Sequence, residues 1–187
     1  MLLSRLGTAH SHLGDDDTAL RLLTRSLEIT RRTRDRPSQA SCLHRLADAL
    51  RKTGRYDEAR GHAVEALDIL RGIPDPADMT ETHNALGAIS NDLRRHRDAL
   101  THHRNALATA AAIGYRIGEA GARHGIGHAL FALGDRDRAQ RHWRRAVGLF
   151  VELGVPDADL VRHDLRISLS ARPGTAACGY GSVSSTG

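Results

Sequence analysis

An internal period of 40 residues is the feature that most constrains how this 187-residue chain can fold. Three columns of the repeat keep their chemical character through four successive copies with no insertions. The first column is branched aliphatic, the second is small and the third is always alanine: Leu6, Leu46, Leu86 and Ile126; Gly7, Ala47, Gly87 and Gly127; Ala19, Ala59, Ala99 and Ala139. Periods of about 20 to 50 residues are typical of solenoids, in which each unit buries its apolar face by stacking on its neighbours. The small columns mark positions where a larger side chain would push neighbouring helices apart.

The composition favours helices over strands. Only 3% of the residues are aromatic, and the abundant Ala, Leu and Arg lose little side-chain freedom in a helix. A turn divides each repeat at Gly14, Gly54 and Gly134, with Arg94 in place of glycine in the third copy. Proline or glycine between repeats stops one helix before the next begins. We therefore predict helices near 1–13, 16–33, 38–53, 56–72, 77–93, 96–113, 117–133, 136–153 and 157–169.

These elements predict an all-α solenoid over residues 1–170, built from four helix-turn-helix repeats near 1–36, 37–76, 77–116 and 117–156. The amphipathic stretch 157–170 is predicted to be a C-terminal capping helix that covers the end of the stack, as terminal repeats require. Residues 171–187, ARPGTAACGYGSVSSTG, lack any period and are predicted to be a disordered tail.

Each repeat contains a segment that resembles the tetratricopeptide repeat signature: LGTAHSHLGDDDTAL, LADALRKTGRYDEA, LGAISNDLRRHRDAL and IGHALFALGDRDRA. The usual unit of that family has about 34 residues, so six additional residues per repeat place this chain with the subclass of longer repeats. The resemblance implies a right-handed α-α superhelix with a concave groove. The segments GYRIGEAGARHGIG, HHRNAL and WRRAVGLFVELGVPDADLVRHDL are also similar to the C-terminal repeats of bacterial regulators of the antibiotic-regulatory-protein (SARP) and nucleotide-binding signalling ATPase group.

The beginning of the chain lacks a capping element in this scheme. The first helix starts at Met1 already inside the repeat, and apolar residues such as Leu2 and Leu3 have nothing before them to cover them. We expect either that the chain is a piece of a larger regulator or that this end pairs with another molecule.

Removing the packing columns from the first helix of each repeat leaves one stripe of positions at i, i+4, i+7 spacing. The stripe consists of Ser4, Thr8 and Ser11; His44, Asp48 and Arg51; Asn84, Ala88 and Asn91; His124, His128 and Phe131. By resemblance to the family, these positions line the concave groove. We predict that a bound protein or peptide contacts Ser11, His44, Asp48, Arg51, Asn84, Asn91, His124, His128 and Phe131.

The asparagines Asn84 and Asn91 are the most suggestive members of the stripe. An asparagine offers both a donor and an acceptor to a peptide backbone, whatever the side chains of that peptide are. Asparagines placed in this way resemble the peptide-holding positions of related repeats. If they hold a ligand, replacing both by alanine should weaken partner binding and change stability by no more than about 0.5 kcal/mol, as expected for exposed positions. The alternative is that both are solvated polar residues on a helix surface.

The net charge of +5 raises the possibility of nucleic acid binding. The arginines are spread along the chain, and the densest group, which includes Arg141 and Arg145, is not interleaved with stacking aromatic residues. We therefore predict a solvated outer helix face there. Cys42 and Cys178 fit no disulfide or metal framework, and no stretch resembles a signal peptide or a membrane span. These features predict a cytoplasmic protein.

Histidine patterns are the remaining candidates for chemistry. His124 and His128 have the i, i+4 spacing that can hold zinc, but the sequence offers no obvious third ligand, so we predict no metal and no cofactor. His62, His102 and His142 are one repeat apart and are predicted to be surface or partner-facing residues. No Ser, His and acid arrangement matches a catalytic motif.

The sequence as a whole predicts a protein-binding or peptide-binding scaffold rather than an enzyme. We expect it to be the sensory or regulatory part of a bacterial transcriptional or signalling regulator, with another protein, a peptide or the remaining domains of that regulator as its partner. The alternatives are a standalone basic module that contacts nucleic acid and a metal-binding enzyme fragment. Salt dependence separates the first alternative from peptide binding, because contacts to phosphates weaken steeply with salt.

Overall fold

The computed structural model describes residues 2–170, and these residues form nine α-helices and no strand. The helices are α1 Leu2–His12, α2 Asp16–Thr33, α3 Arg36–Lys52, α4 Tyr56–Gly72, α5 Pro76–Asp92, α6 His96–Ile113, α7 Arg116–Ala132, α8 Arg136–Leu153 and α9 Asp157–Ser170. Each predicted helix is present, and each boundary within the described residues lies within two residues of its predicted position. The tail predicted for 171–187 lies outside the described residues.

The turn inside each repeat has the same left-handed backbone in all four copies. Gly14, Gly54 and Gly134 have φ angles of +79°, +79° and +87°, and Arg94 takes the equivalent position with φ +60°. A side chain in this region costs about 1 to 2 kcal/mol. The third repeat therefore keeps the turn geometry although it lacks the residue that best suits it.

The two helices of each repeat pack against each other, and the second helix also contacts the first helix of the next repeat. The first helices additionally contact one another in succession, α1 with α3, α3 with α5 and α5 with α7. No comparable contact joins successive second helices within residues 2–170. Because the first helices lie closer together, they form the inner, concave side of the stack, and the second helices form the outer side.

The alanine column lies at the tightest part of the core. Ala19, Ala59, Ala99 and Ala139 are all 0% exposed, as expected for positions of close helix contact. The small column faces a second column, also spaced by 40 residues, whose side chains vary widely in size: Leu23, Ala63, His103 and Trp143. A Cβ atom added at Gly7, Gly87 or Gly127 would come within 2.8, 2.6 or 2.3 Å of the side chain at the facing position.

The ninth helix packs on α8, with Ala158 and Val161 buried at the contact. This arrangement covers the end of the stack, as the sequence predicts. At the other end of the described residues, Leu2 is 82% exposed. None of the helices in the described part of the chain has the length and apolar content that a bilayer span requires.

Candidate functional site

The predicted stripe lies on the first helices α1, α3, α5 and α7, which form the concave side. Its members are more buried, and more engaged in bonds to other residues, than the sequence suggests. Ser4, Ser11 and His44 are buried, and of the nine predicted contact residues only His128 is exposed. The expectation that these positions remain available once packing is complete was therefore wrong for the buried ones. Most of the polar members bond to a neighbouring repeat, and we call these bonds the inter-repeat ladder.

Between the first and second repeats, the ladder consists of hydroxyl groups on α1 that accept from basic side chains on α3. The Lys52 Nζ atom donates to Ser11 Oγ at 3.0 Å, and Arg45 Nη1 donates to Thr8 Oγ1 at 3.2 Å. These bonds use the hydroxyl of Ser11, which the sequence assigns to a ligand.

Between the second and third repeats, the ladder is ionic. Arg51 on α3 donates from Nη1 to Asp92 Oδ2 at 2.9 Å and from Nη2 to Asp48 Oδ1 at 3.2 Å. His44 Nε2 lies 3.3 Å from Asp78 Oδ1. Burial by itself would raise the pKa of Asp78, but the ring of His44 and a hydroxyl donor outweigh burial and lower that pKa below its ordinary value.

Between the third and fourth repeats, the ladder consists of neutral amides. Asn84 Nδ2 donates to the carbonyl oxygen of Gly118 at 3.1 Å, and Asn91 Nδ2 donates to that of Gly125 at 3.2 Å. The two residues are half-buried and cross directly from α5 to α7. The two residues are therefore not merely solvated, and because their bonds join two repeats, we expect their replacement by alanine to lower stability.

The bond of Asn84 also fixes the state of a buried histidine, His103, on α6. Because the Asn84 nitrogen donates to Gly118, its Oδ1 faces His103 Nδ1 at 3.2 Å and must accept from it. The proton then sits on Nδ1, and the buried Nε2 has no hydrogen-bond partner among the described residues. Burial is the main cause that lowers the pKa of His103 to about 3. His103 is therefore neutral at physiological pH.

Between the fourth repeat and α9, the ladder ends in a cluster of His124, His128 and Asp164. His124 Nε2 lies 2.8 Å from Asp164 Oδ2 and 2.9 Å from His128 Nε2, and His128 Nε2 lies 3.2 Å from the same carboxylate oxygen. The sequence offered no obvious third ligand for the two histidines, and the structure supplies one in Asp164. We call these three residues the histidine–aspartate cluster.

The repeat period contains the signal that could have found Asp164. His44, Asn84, His124 and Asp164 are spaced by 40 residues and occupy one column that runs into the capping helix. Successive members of the column lie on first helices that contact each other, α3 with α5 and α5 with α7. Extending the column past the last complete repeat would have placed a carboxylate beside His124.

The outer side carries the arginines that the sequence assigns to solvent. Arg141 and Arg145 are exposed, whereas His62, His102 and His142 are half-buried. Burial is the main cause that lowers the pKa of each of these histidines. They are therefore less open to a partner than predicted.

Two of the hollows in the described region are small and open. One lies among α2, α3 and α4 and holds about 230 Å³. The other, of about 270 Å³, is lined by Arg123, Arg138, Arg141 and His142. Small-molecule sites usually have volumes of about 300 to 1,000 Å³, so neither hollow has the size expected of a substrate pocket.

Comparison with known proteins agrees with the fold. Residues 1–72 match the tetratricopeptide repeat family. Over 160 residues the chain is 32% identical to the regulatory protein AfsR of Streptomyces griseus, a match that covers 86% of this chain and 15% of that protein. The chain thus spans about one seventh of the length of this relative.

Solved structures show the same architecture. A Rap protein complexed with competence and sporulation factor superposes with a TM-score of 0.82 at 20% identity, covering 89% of this chain and 47% of that one. BtubC from P. vanneervenii superposes with a TM-score of 0.65 at 18% identity, covering 98% of this chain and 86% of that one. At these identities the likeness concerns the fold alone.

Proposed function

We propose that this chain, a tetratricopeptide-repeat protein related to a bacterial regulatory protein, is a regulatory scaffold that binds a protein segment or peptide along its concave side. The observation that carries the proposal is the direct stacking of the first helices, which supports one continuous concave side across the four repeats, with the half-buried and exposed stripe residues along it. An extended segment can contact several repeats at once on such a surface.

The ladder leaves hydrogen-bonding capacity for a ligand in the third repeat. Each amide of Asn84 and Asn91 uses one N–H toward α7 and engages its oxygen with one histidine ring. An amide has two N–H groups and two lone pairs, so one donor and one acceptor position remain on each side chain. Because the ladder already fixes both side chains, a ligand would not have to order them, which lowers the entropic cost of binding.

The surface between the asparagines is suited to a close approach. Ala88 lies on the same helix face, one turn from both amides, and is half-buried. Its small side chain leaves the backbone of a ligand free to reach the amides. Asp48 and Arg51 lie one repeat away, and Asp92 follows Asn91 at the end of α5. These charges would favour a ligand segment with polar side chains at that end.

Two similar proteins support the proposal that the chain binds a peptide or protein. The Rap structure contains a bound factor, and AfsR is described as a regulatory protein. Since AfsR is much longer than this chain, the other domains of such a regulator are candidate partners, together with separate peptides.

The test is a selection of displayed random peptides on the full chain, followed by fluorescence anisotropy of a selected peptide with two variants. Ala88→Gln places a larger uncharged side chain between the asparagines. Ala108→Gln makes the same change at an exposed position on α6 in the same repeat. We expect the first variant to weaken binding at least about tenfold, equivalent to about 1.4 kcal/mol, and the second to leave binding unchanged.

Two results would contradict the proposal. Equal effects of the two variants, or a larger effect from replacing Arg141 and Arg145 together, would move the interaction to the outer side. Binding to DNA or RNA whose affinity falls by orders of magnitude between low and physiological salt would identify a module that contacts phosphates. Peptide binding at the mixed polar surface should depend far less on salt.

A further inference from the structure

We propose that His124, His128 and Asp164 form a binding site for a divalent transition-metal ion, and that Zn²⁺ is the ion the site takes. The three ligand atoms, two imidazole nitrogens and one carboxylate oxygen, all lie within 4.8 Å of one another. Imidazole and carboxylate are the ligand types of three-residue zinc sites, which leave a fourth position for water.

The distances in the cluster are close to those that a metal requires. Zinc bonds of about 2.0 to 2.2 Å in a tetrahedral arrangement place neighbouring ligand atoms about 3.3 Å apart. The atoms here are separated by 2.8, 2.9 and 3.2 Å. An outward shift of about 0.5 Å or less at each atom would therefore admit the ion.

The helices already hold the ligands in convergent positions. His124 and His128 are one turn apart on α7, so both rings lie on the same helix face. The backbone oxygen of His124 accepts from Trp143 Nε1 at 3.2 Å, and the indole of Trp143 lies 5.5 Å from the His128 ring. Asp164 comes from α9, so the site joins the last complete repeat to the capping helix.

Without a metal, the three groups cannot all be hydrogen-bonded to one another. Both Nε2 atoms face the same carboxylate oxygen and each other, so at most two of the three contacts can have a proton between them when both rings are neutral. A metal ion satisfies all three lone pairs at once. His128 is exposed, with a side-chain exposure of 45%, and this leaves an entry path and an open position on the solvent side.

The expected consequence is a metal-dependent clamp on the capping helix. An ion bound across α7 and α9 stabilises the docked position of α9, because it binds the folded arrangement and not the separated helices. At a zinc concentration 100 times the dissociation constant, the thermal midpoint should rise by about 5 °C or more.

The molecule contains its own reporter for the test. Trp143 is the single tryptophan, and it is in ring contact with His128. Titration of the full chain, prepared without a histidine tag, with Co²⁺ should quench this fluorescence and produce the visible absorption bands of a four-coordinate site. Zn²⁺ should then displace Co²⁺ with a stoichiometry of one ion per chain.

Variants locate the site. Asp164→Asn retains the shape of the side chain, and His128→Gln replaces an exposed ring. Each should weaken Co²⁺ and Zn²⁺ binding at least about tenfold, because even mutations of groups outside the ligand set lower metal affinity by that factor. The matched control is His102→Ala, which removes a ring from the other close histidine pair, His83 with His102 at 3.3 Å. Circular dichroism establishes that each variant is folded.

The control should bind like the parent chain. Saturable binding of one ion that is lost in both cluster variants and kept in the control supports the site. The proposal is overturned if the parent chain binds no ion saturably, if Trp143 fluorescence does not respond to bound Co²⁺, or if His102→Ala weakens binding as much as Asp164→Asn does.

Discussion

The first two repeats and the last two repeats share the same 40-residue period but differ in the side chains that fill the core and join the repeats. In the first half, aliphatic side chains such as Leu23, Leu43 and Leu46 fill the core, and charged side chains supply much of the ladder. In the second half, the rings of His103 and Trp143 rest on glycines, and neutral amides cross between the repeats. We therefore expect the first half to be the more sensitive to salt, and the second half to be the more sensitive to changes in side-chain size.

The largest difference should come from filling a glycine under a ring. A Cβ atom at Gly127 would lie 2.3 Å from Trp143, a rigid ring that is 2% exposed. We expect Gly127→Ala to lower the free energy of unfolding by about 3 kcal/mol, measured by urea denaturation. Gly148→Ala, with nothing within 4 Å of the new Cβ, should instead stabilise α8 by about 0.5 to 1 kcal/mol. Equal effects would mean that the ring contact is unimportant.

Substitutions in the alanine column test whether core packing differs between the two halves at positions where their sequences are identical. Ala59 and Ala99 are both fully buried, so replacing either with leucine should overpack the core and cost about 1 to 3 kcal/mol. Thermal midpoints of the two variants measure this directly. If both variants lose similar stability, the two halves differ only in their ring contacts and in the ladder. An unchanged midpoint in either variant would contradict the tight packing of that column.

Acid should act on the second half through His103. Its pKa is about 3 when folded and about 6.5 when unfolded, so between these values the unfolded chain binds more protons. Stability that is fully present above pH 6.5 is therefore lost as the pH falls. The positive charge of Arg51 acts in the same direction.

At pH 5 the loss from this residue should be about 2 kcal/mol, at 1.36 kcal/mol per pH unit. Denaturation curves at pH 7 and pH 5 measure it. His103→Gln, which can still donate to Asn84, should show a smaller difference between the two pH values. The same pH dependence in both proteins would assign the acid effect to other groups.

The smallest effects should come from the ladder itself. Asn91→Ala removes the side-chain donor to the Gly125 carbonyl and should cost about 1 kcal/mol at any salt concentration. Arg51→Ala removes a partly exposed ion pair and should cost about 0.5 kcal/mol at low salt, and less at high salt. Urea denaturation at two salt concentrations compares them. A salt-dependent loss in Asn91→Ala would contradict the proposed difference between the halves.

The sequence by itself determined the architecture. The 40-residue columns, the glycine turns and the prolines are local signals, and they placed α3 and α8 within two residues of their observed bounds. Burial of the alanine column also followed from the period alone, because equivalent positions in stacked units have equivalent surroundings.

Only the tertiary structure decided what the polar stripe does. The partners of Arg51, Asn84 and Asn91 lie 34 to 41 residues away, and Asp164 lies 40 residues from His124. Local periodicity identifies the helix face that does not pack against the other helix of the same repeat. The stacking of neighbouring repeats decides which side chain of the next repeat comes within hydrogen-bond distance of that face. A shift of about one helical turn between neighbouring helices, about 5.4 Å, would give each of these groups a different partner.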